Sequence, residues 1–300
     1  MKFGLILPLF SGDPEKVLGF AKHAERLGYD GVFAFDHFFP PGGARDHPSL
    51  EAFASLATIG VATERISVGT LVTRVGVRSA GILAKMTAQI DDMTGGRMIV
   101  GIGTGDKMDQ AEHEAFALPV ERPWPERREA LEETIGAMKA LYRGERWPGG
   151  EQVPPLAGPL LPPPSRPGGP PVWVGAKADA VLRIAARVAD GWNGWGLSRD
   201  AFAEKAELLA REAADRDVEP SWSGVALVGE NEQDARRLRE ARGSRGFLDE
   251  GLWNGSAAQF AEFAADLAEA GAAWAIVVPA GPPDRMELIA NTVLPESPAR

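Results

Sequence analysis

The 300-residue chain contains no cysteine. That excludes a disulfide framework, a thiolate nucleophile and any Cys-type metal site. Redox chemistry here must therefore rest on a borrowed cofactor. Positive charge is also in deficit: 32 Lys and Arg stand against 42 Asp and Glu, a formal net charge of −10. A nucleic-acid surface needs a basic patch, and docking on anionic lipid needs the same sign, so both partners are disfavoured. No run approaches the ~18 apolar residues of a membrane span. The N-terminus, Met1-Lys2-Phe3-Gly4, runs straight into a strand-like segment without the apolar region and cleavage site of a signal peptide. The expectation is a cytoplasmic protein with a small-molecule substrate and neither nucleic acid nor membrane as partner. His23, His47 and His113 make no metal-ligand spacing with a second His or carboxylate, and no metal site is expected. A G-x-S-x-G elbow is missing, which counts against an α/β-hydrolase. There is no internal repeat.

What is present is an alternation of strand and helix patterns. Hydrophobic residues make up 44% of the chain and charged residues 25%, enough apolar content for a large core. Residues 2–8 read as a strand. A helix follows from about Pro14 to Leu27, with Asp13 as N-cap, Pro14 at its first position and Gly28 ending it. Gly31 to Phe39 is a buried strand that stops on Asp36-His37. The pattern repeats with helices at about 50–62, 80–92, 126–143, 179–189, 200–215 and 284–292, and another carrying Phe260, Phe263 and Leu267. The remaining strands are expected at 65–73, 97–103, 171–175, 191–195, 223–228 and 273–279. Residues 144–170 are dense in Pro and Gly and read as an extended surface excursion, because the alternation resumes at once. Eight strands alternating with helices favour one (β/α)8 TIM barrel over residues 1–300, with insertion loops at its C-terminal face. The rival doubly wound sheet would place a G-x-G-x-x-G turn after its first strand, where this chain has Pro8-Leu-Phe-Ser-Gly12.

In such a barrel, function gathers where strands end. His37 is a proton donor or acceptor near neutral pH, or a histidine satisfied by a structural bond. Asp36 reads as a group that orients the site. Gly101-Ile-Gly-Thr-Gly105 is either a tight strand exit or a place where backbone approaches a flat ring closely. Asp106 follows it as a candidate acid partner or an ordinary loop carboxylate. Gly175-Ala-Lys177 opens a helix directly after a strand, which suits a phosphate or is a plain turn. Phe10, Trp192, Trp195 and Trp253 are candidate walls of a substrate pocket, with core packing as the alternative for aromatics near short strands.

Several stretches in this order and spacing resemble the luciferase-like monooxygenase superfamily of flavin- and F420-dependent barrels. They are Gly28-Tyr-Asp-Gly31 with Asp36-His37, Thr63-Glu-Arg-Ile-Ser-Val-Gly-Thr70, Leu83-Ala-Lys85 through Gly95-Gly-Arg97, Gly101 to Gly105, Pro171-Val-Trp-Val-Gly175 and Ala189-Asp-Gly-Trp-Asn193. The resemblance covers essentially the whole chain and is nearest to the F420-dependent branch. It implies that His37 acts on substrate or interacts with the deazaflavin. It implies that Leu71-Val72 is a non-prolyl cis peptide behind the cofactor ring, with Thr73 beside it. It further implies that Gly103, Thr104, Gly105 and Asp106 flank the ring, and that Gly175, Ala176 and Lys177 hold the cofactor's phosphate. Glucose-6-phosphate dehydrogenases of this branch have Glu in place of Asp106 and a Trp after the Asp-His pair, where this chain has Phe38-Phe-Pro-Pro41. Their sugar-phosphate-binding residues have no counterpart here.

The expected activity is therefore hydride transfer between C5 of coenzyme F420 and a small, largely apolar organic substrate. The alternatives are an FMN-dependent monooxygenase using oxygen, and a barrel that binds a cofactor or ligand without turnover. A homodimer is expected from the resemblance.

Overall fold

The computed structural model describes residues 1–40, 45–105, 110–119, 122–243, 249 and 251–294. Ten parallel strands form one sheet: β1 (Lys2–Ile6), β2 (Gly31–Ala34), β3 (Ser67–Thr70), β4 (Thr73–Arg74), β5 (Met98–Gly103), β6 (Val172–Gly175), β7 (Gly191–Trp195), β8 (Glu219–Gly229), β9 (Leu252–Ser256) and β10 (Trp274–Pro279). β10 pairs with both β1 and β8, and this closes eight strands into a (β/α)8 barrel. β4 pairs with the end of β5, and β9 extends the outer half of β8. The helices are α1 (Pro14–Leu27), α2 (Ala52–Ala62), α3 (Ala80–Met93), α4 (Gln110–Ala115), α5 (Trp124–Tyr142), α6 (Asp179–Val188), α7 (Arg199–Ala213), α8 (Glu232–Arg242), α9 (Ala257–Glu269) and α10 (Arg285–Val293).

Local chemistry sets the element ends. Asp13 accepts from the N–H groups of Glu15 and Lys16 at 3.0 and 3.1 Å, and Gly28 ends α1 at φ +93°. The strand expected over 65–73 is two pieces. β3 stops at Thr70, the Leu71-Val72 peptide is cis, and the chain re-enters the sheet as β4. The strand expected at 223–228 is longer than its apolar run and spans Glu219–Gly229. α4, α8 and β9 add to the expected elements.

Large rings fill the lower barrel. Phe33 stacks on Trp173 with centroids 5.9 Å apart, and both meet Trp274 at 5.7 Å. Glycines make the room: a Cβ on Gly4 or Gly31 would lie 2.8 or 2.9 Å from Phe33, and one on Gly191 2.4 Å from Trp173. Rings and glycines thus fill the lower barrel, and a barrel of this kind takes its ligand at the C-terminal mouth. The 144–170 excursion lies over α3 and α5. Glu133 of α5 accepts the N–H groups of Glu151, Gln152 and Val153 at 2.9, 2.9 and 2.7 Å, and Arg166 reaches Asp91 of α3 at 3.5 Å. Among the described residues, no helix is long and apolar enough to cross a membrane.

Candidate active site

β2 delivers Phe35, Asp36 and His37 to the mouth just past its last residue. Asp36 is 2% exposed. Its carboxylate accepts from Thr73 Oγ1 at 2.6 Å and from both Arg78 nitrogens, Nη1 at 2.5 Å and Nη2 at 3.2 Å. Arg78 also donates to Glu51 at 2.8 Å and lies 4.4 Å over the Phe53 ring. Asp36 therefore pins the loop that follows the cis peptide.

His37 finds its carboxylate elsewhere. Its Nδ1 is 3.3 Å from both oxygens of Glu112 on α4. Glu112 also accepts the Phe38 N–H at 2.7 Å and pairs with Arg74 Nη2 at 2.5 Å. Burial pushes the Glu112 carboxyl up. The bond and charge of His37, the Arg74 charge and the Phe38 N–H outweigh burial and hold it below the usual glutamate range.

Beside the cis peptide, one wall of the mouth is the Val72 side chain seated on glycine backbone. Val72 packs against Gly101, Gly103 and Gly175, where a Cβ on Gly103 or Gly175 would lie 2.9 Å from its methyls. Thr73 is buried by its bond to Asp36. Beyond Gly103, Thr104 and Gly105 are half-buried, Gly105 turns at φ +73°, and its carbonyl accepts from Arg127 at 3.0 Å. Asp106 lies outside the described residues. Such a wall suits one face of a planar ring. Past Gly175, the Ala176 N–H is already bonded to the Asn193 carbonyl at 3.0 Å and the Ala176 carbonyl to the Trp192 indole at 2.8 Å. The turn's anion-holding capacity thus falls to residues after Ala176. Lys177 is exposed there, and α6 starts at Asp179 behind Ala178, an N-cap that makes no side-chain bond.

The aromatic candidates separate. Phe10 stacks on Phe35 at 6.3 Å, and Phe35 meets Trp195 edge-on at 5.6 Å, so these three rings gather at the ends of β1, β2 and β7. Trp192 is fully buried against Phe202 of α7, at 5.3 Å, and faces the helix layer. Trp253 packs on Phe260 and Phe263 of α9 at 4.9 and 5.8 Å. Neither wall assignment fits these placements, because alternation along β7 sends Trp192 outward and β9 lies outside the closed barrel. Sequence reasoning missed Phe35, Arg74, Arg78 and Glu112. Arg74 and Arg78 carry a faint signal, two cations four apart after a strand. Glu112 has none.

Fold and mouth define a parallel (β/α)8 barrel with Val72 seated on glycine backbone and a histidine at the same barrel end. The luciferase-like monooxygenase family matches residues 1–292, and the chain belongs to that family. The chain is similar to the F420-dependent glucose-6-phosphate dehydrogenase of Nakamurella multipartita, 30% identical over 201 residues, which are 64% of this chain and 55% of that protein. The chain thus spans about half the length of that relative. An F420-dependent secondary alcohol dehydrogenase in complex with an F420-acetone adduct superposes with TM-score 0.81 at 19% identity, covering 97% of this chain and 98% of that one. A monooxygenase from Streptomyces bottropensis superposes with TM-score 0.77 at 20% identity, covering 98% and 99%. At these identities the two structures speak to the fold.

Proposed function

We propose that the protein is an F420-dependent oxidoreductase acting on a small, largely apolar organic substrate. The observation that carries this reading is His37, held on Glu112 at the same barrel end as the wall of Val72, Gly103 and Gly175. When bound, the deazaflavin supplies two-electron hydride chemistry at C5. The chain's own residues do the rest. Val72 and the glycines offer a surface to one face of the ring. Lys177 and the uncapped start of α6 offer charge and N–H groups to a phosphate. His37 holds or moves a proton at a substrate heteroatom. Phe10, Phe35 and Trp195 offer the substrate an aromatic, water-poor surface. Those rings support an uncharged substrate over a sugar phosphate.

Titrating purified apo-protein with F420 and with FMN, followed by fluorescence, tests the proposal. F420 should bind more tightly and should be reduced or oxidised in the presence of small alcohols or carbonyl compounds. Tighter binding of FMN, with oxygen consumed by the reduced flavin, would move the protein to the monooxygenase reading. Binding of neither would leave a barrel without turnover.

A further inference from the structure

We infer that Phe35 is the specificity-determining residue of the mouth: with Trp195 it bars the lumen, and it limits the site to uncharged alcohols or carbonyl compounds with a compact carbon skeleton. The inference deepens the proposed function and rests on it for the place where substrate binds. In the closed ring β1-β2-β3-β5-β6-β7-β8-β10, β2 and β7 stand four places apart in either direction, so they face each other across the lumen. Phe35 lies just past the end of β2, two residues beyond Phe33, and Trp195 is the last residue of β7. Side chains two apart on a strand share a face, so Phe35 points inward above the Phe33 ring. It meets Trp195 edge-on at 5.6 Å, and Phe10 stacks on it at 6.3 Å. Two rings from opposite strands thus touch across the barrel at this level.

Exposure changes at the same level. Phe33, Trp173 and Ile276 below are at 0%. Phe35, Val72 and Val278 rest on that buried cluster, and each is partly exposed. Trp195 and Val278 rest in turn on buried Val225 and Leu227, and Trp195 is partly exposed as well. Inward-facing apolar side chains with accessible surface form a floor for whatever enters the mouth. The polar side chains beside the pair are turned on one another. Ser223, registered against Trp195, donates to Asn193 Oδ1 at 2.7 Å. Asn193 Nδ2 donates to Ser221 Oγ at 2.9 Å, and Ser221 donates to the Trp192 carbonyl at 2.8 Å. The floor therefore offers a ligand carbon surface, and a charged group set on it would lose hydration without return. Phe35 is the ring at its centre, with Phe10 on one side and Trp195 on the other. Its size decides how deep a substrate reaches, and in an apolar pocket a misfit of one methylene is worth about 10- to 200-fold.

The test measures binding of cyclohexanone and of the bulkier adamantanone to the apo-protein by ligand-observed NMR titration, in wild type, Phe35→Leu and Phe35→Ala. Wild type should prefer cyclohexanone by at least about tenfold. Both variants should move the ratio toward adamantanone by at least about tenfold, alanine further than leucine. A ratio unmoved in a folded variant, or an equal weakening of both ketones, would overturn the assignment. So would a wild type that prefers adamantanone or binds neither ketone. Leucine keeps an apolar side chain on the buried cluster, so it decides should the alanine variant fail to fold. Binding is read without cofactor. A protein that does not take F420 would therefore sink the proposed function and leave the ketone ratio to decide the role of Phe35.

Discussion

His37 and Gly175 serve the proposed site in different ways, and single substitutions should separate them. Removing the imidazole takes away proton transfer and no part of the ring wall. His37→Ala should lower kcat by about 10²-fold or more while F420 affinity changes less than about threefold. Stopped-flow turnover beside fluorescence titration checks both numbers, and unchanged turnover would remove His37 from the chemistry. Gly175→Ala should do the reverse. Its Cβ would sit 2.9 Å from a Val72 methyl, and Val72 is short and branched, so the wall itself has to shift. F420 affinity should drop about tenfold or more, with a folded protein by circular dichroism. Full affinity in that variant would mean that the ring does not lie on this wall. Asp36 and His37 were legible in the sequence because an ionisable pair at the end of an apolar run has to be used or paired. Glu112 was not: it lies 75 residues from His37, and only the fold brings α4 to the end of β2.

At the scale of elements, α4 is six residues long and is held to the barrel through Glu112. The carboxyl titrates below its ordinary value in the folded protein. As pH falls, the unfolded chain therefore takes up this proton first. The stability the carboxylate contributes is complete above the ordinary glutamate range, near pH ~4.3. It is lost as pH drops from there through the lower folded value. Urea unfolding at a series of pH values should show a shallower acid slope for Glu112→Gln than for wild type. Parallel slopes would place the acid sensitivity of the fold elsewhere. The same scale explains what was hard to read. α1 announced itself through Asp13, Pro14 and a stripe of Val17, Ala21 and Ala24. α8 has seven charged residues among its eleven, with only Ala235 and Leu238 buried, so it lacks a readable stripe. β9, Leu-Trp-Asn-Gly-Ser, carries Asn and Gly that strands disfavour, and its place comes from pairing with the long β8. The break between β3 and β4 follows from a cis peptide that no local propensity encodes. It was anticipated through the family resemblance.

At the scale of the whole molecule, closure depends on the last strand. β10 pairs along Lys2–Leu5 of β1 and along Ser221–Ala226 of β8, and it brings Trp274 to the ring cluster of Phe33 and Trp173. Alternation in the sequence was enough to expect eight strands, but not to show which side chains plug the barrel. Those are rings matched to glycines, Phe33 to Gly4 of the next strand and Trp173 to Gly191, pairings that exist only once the strands are assembled. Every candidate site residue lies before Trp274. If the site were a local assembly of strand ends, a chain ending at Gly271 would keep it. The pairing predicts otherwise. Without β10, β1 and β8 become open edges and the ring cluster loses Trp274, a loss of the kind that costs about 3–5 kcal/mol for one large side chain alone. The truncated chain should show no cooperative thermal transition by circular dichroism and no F420 binding, although none of the proposed cofactor or catalytic residues has been touched. A cooperative melt with binding intact would show that the mouth is held by its own loops, and that barrel closure is not what positions the site.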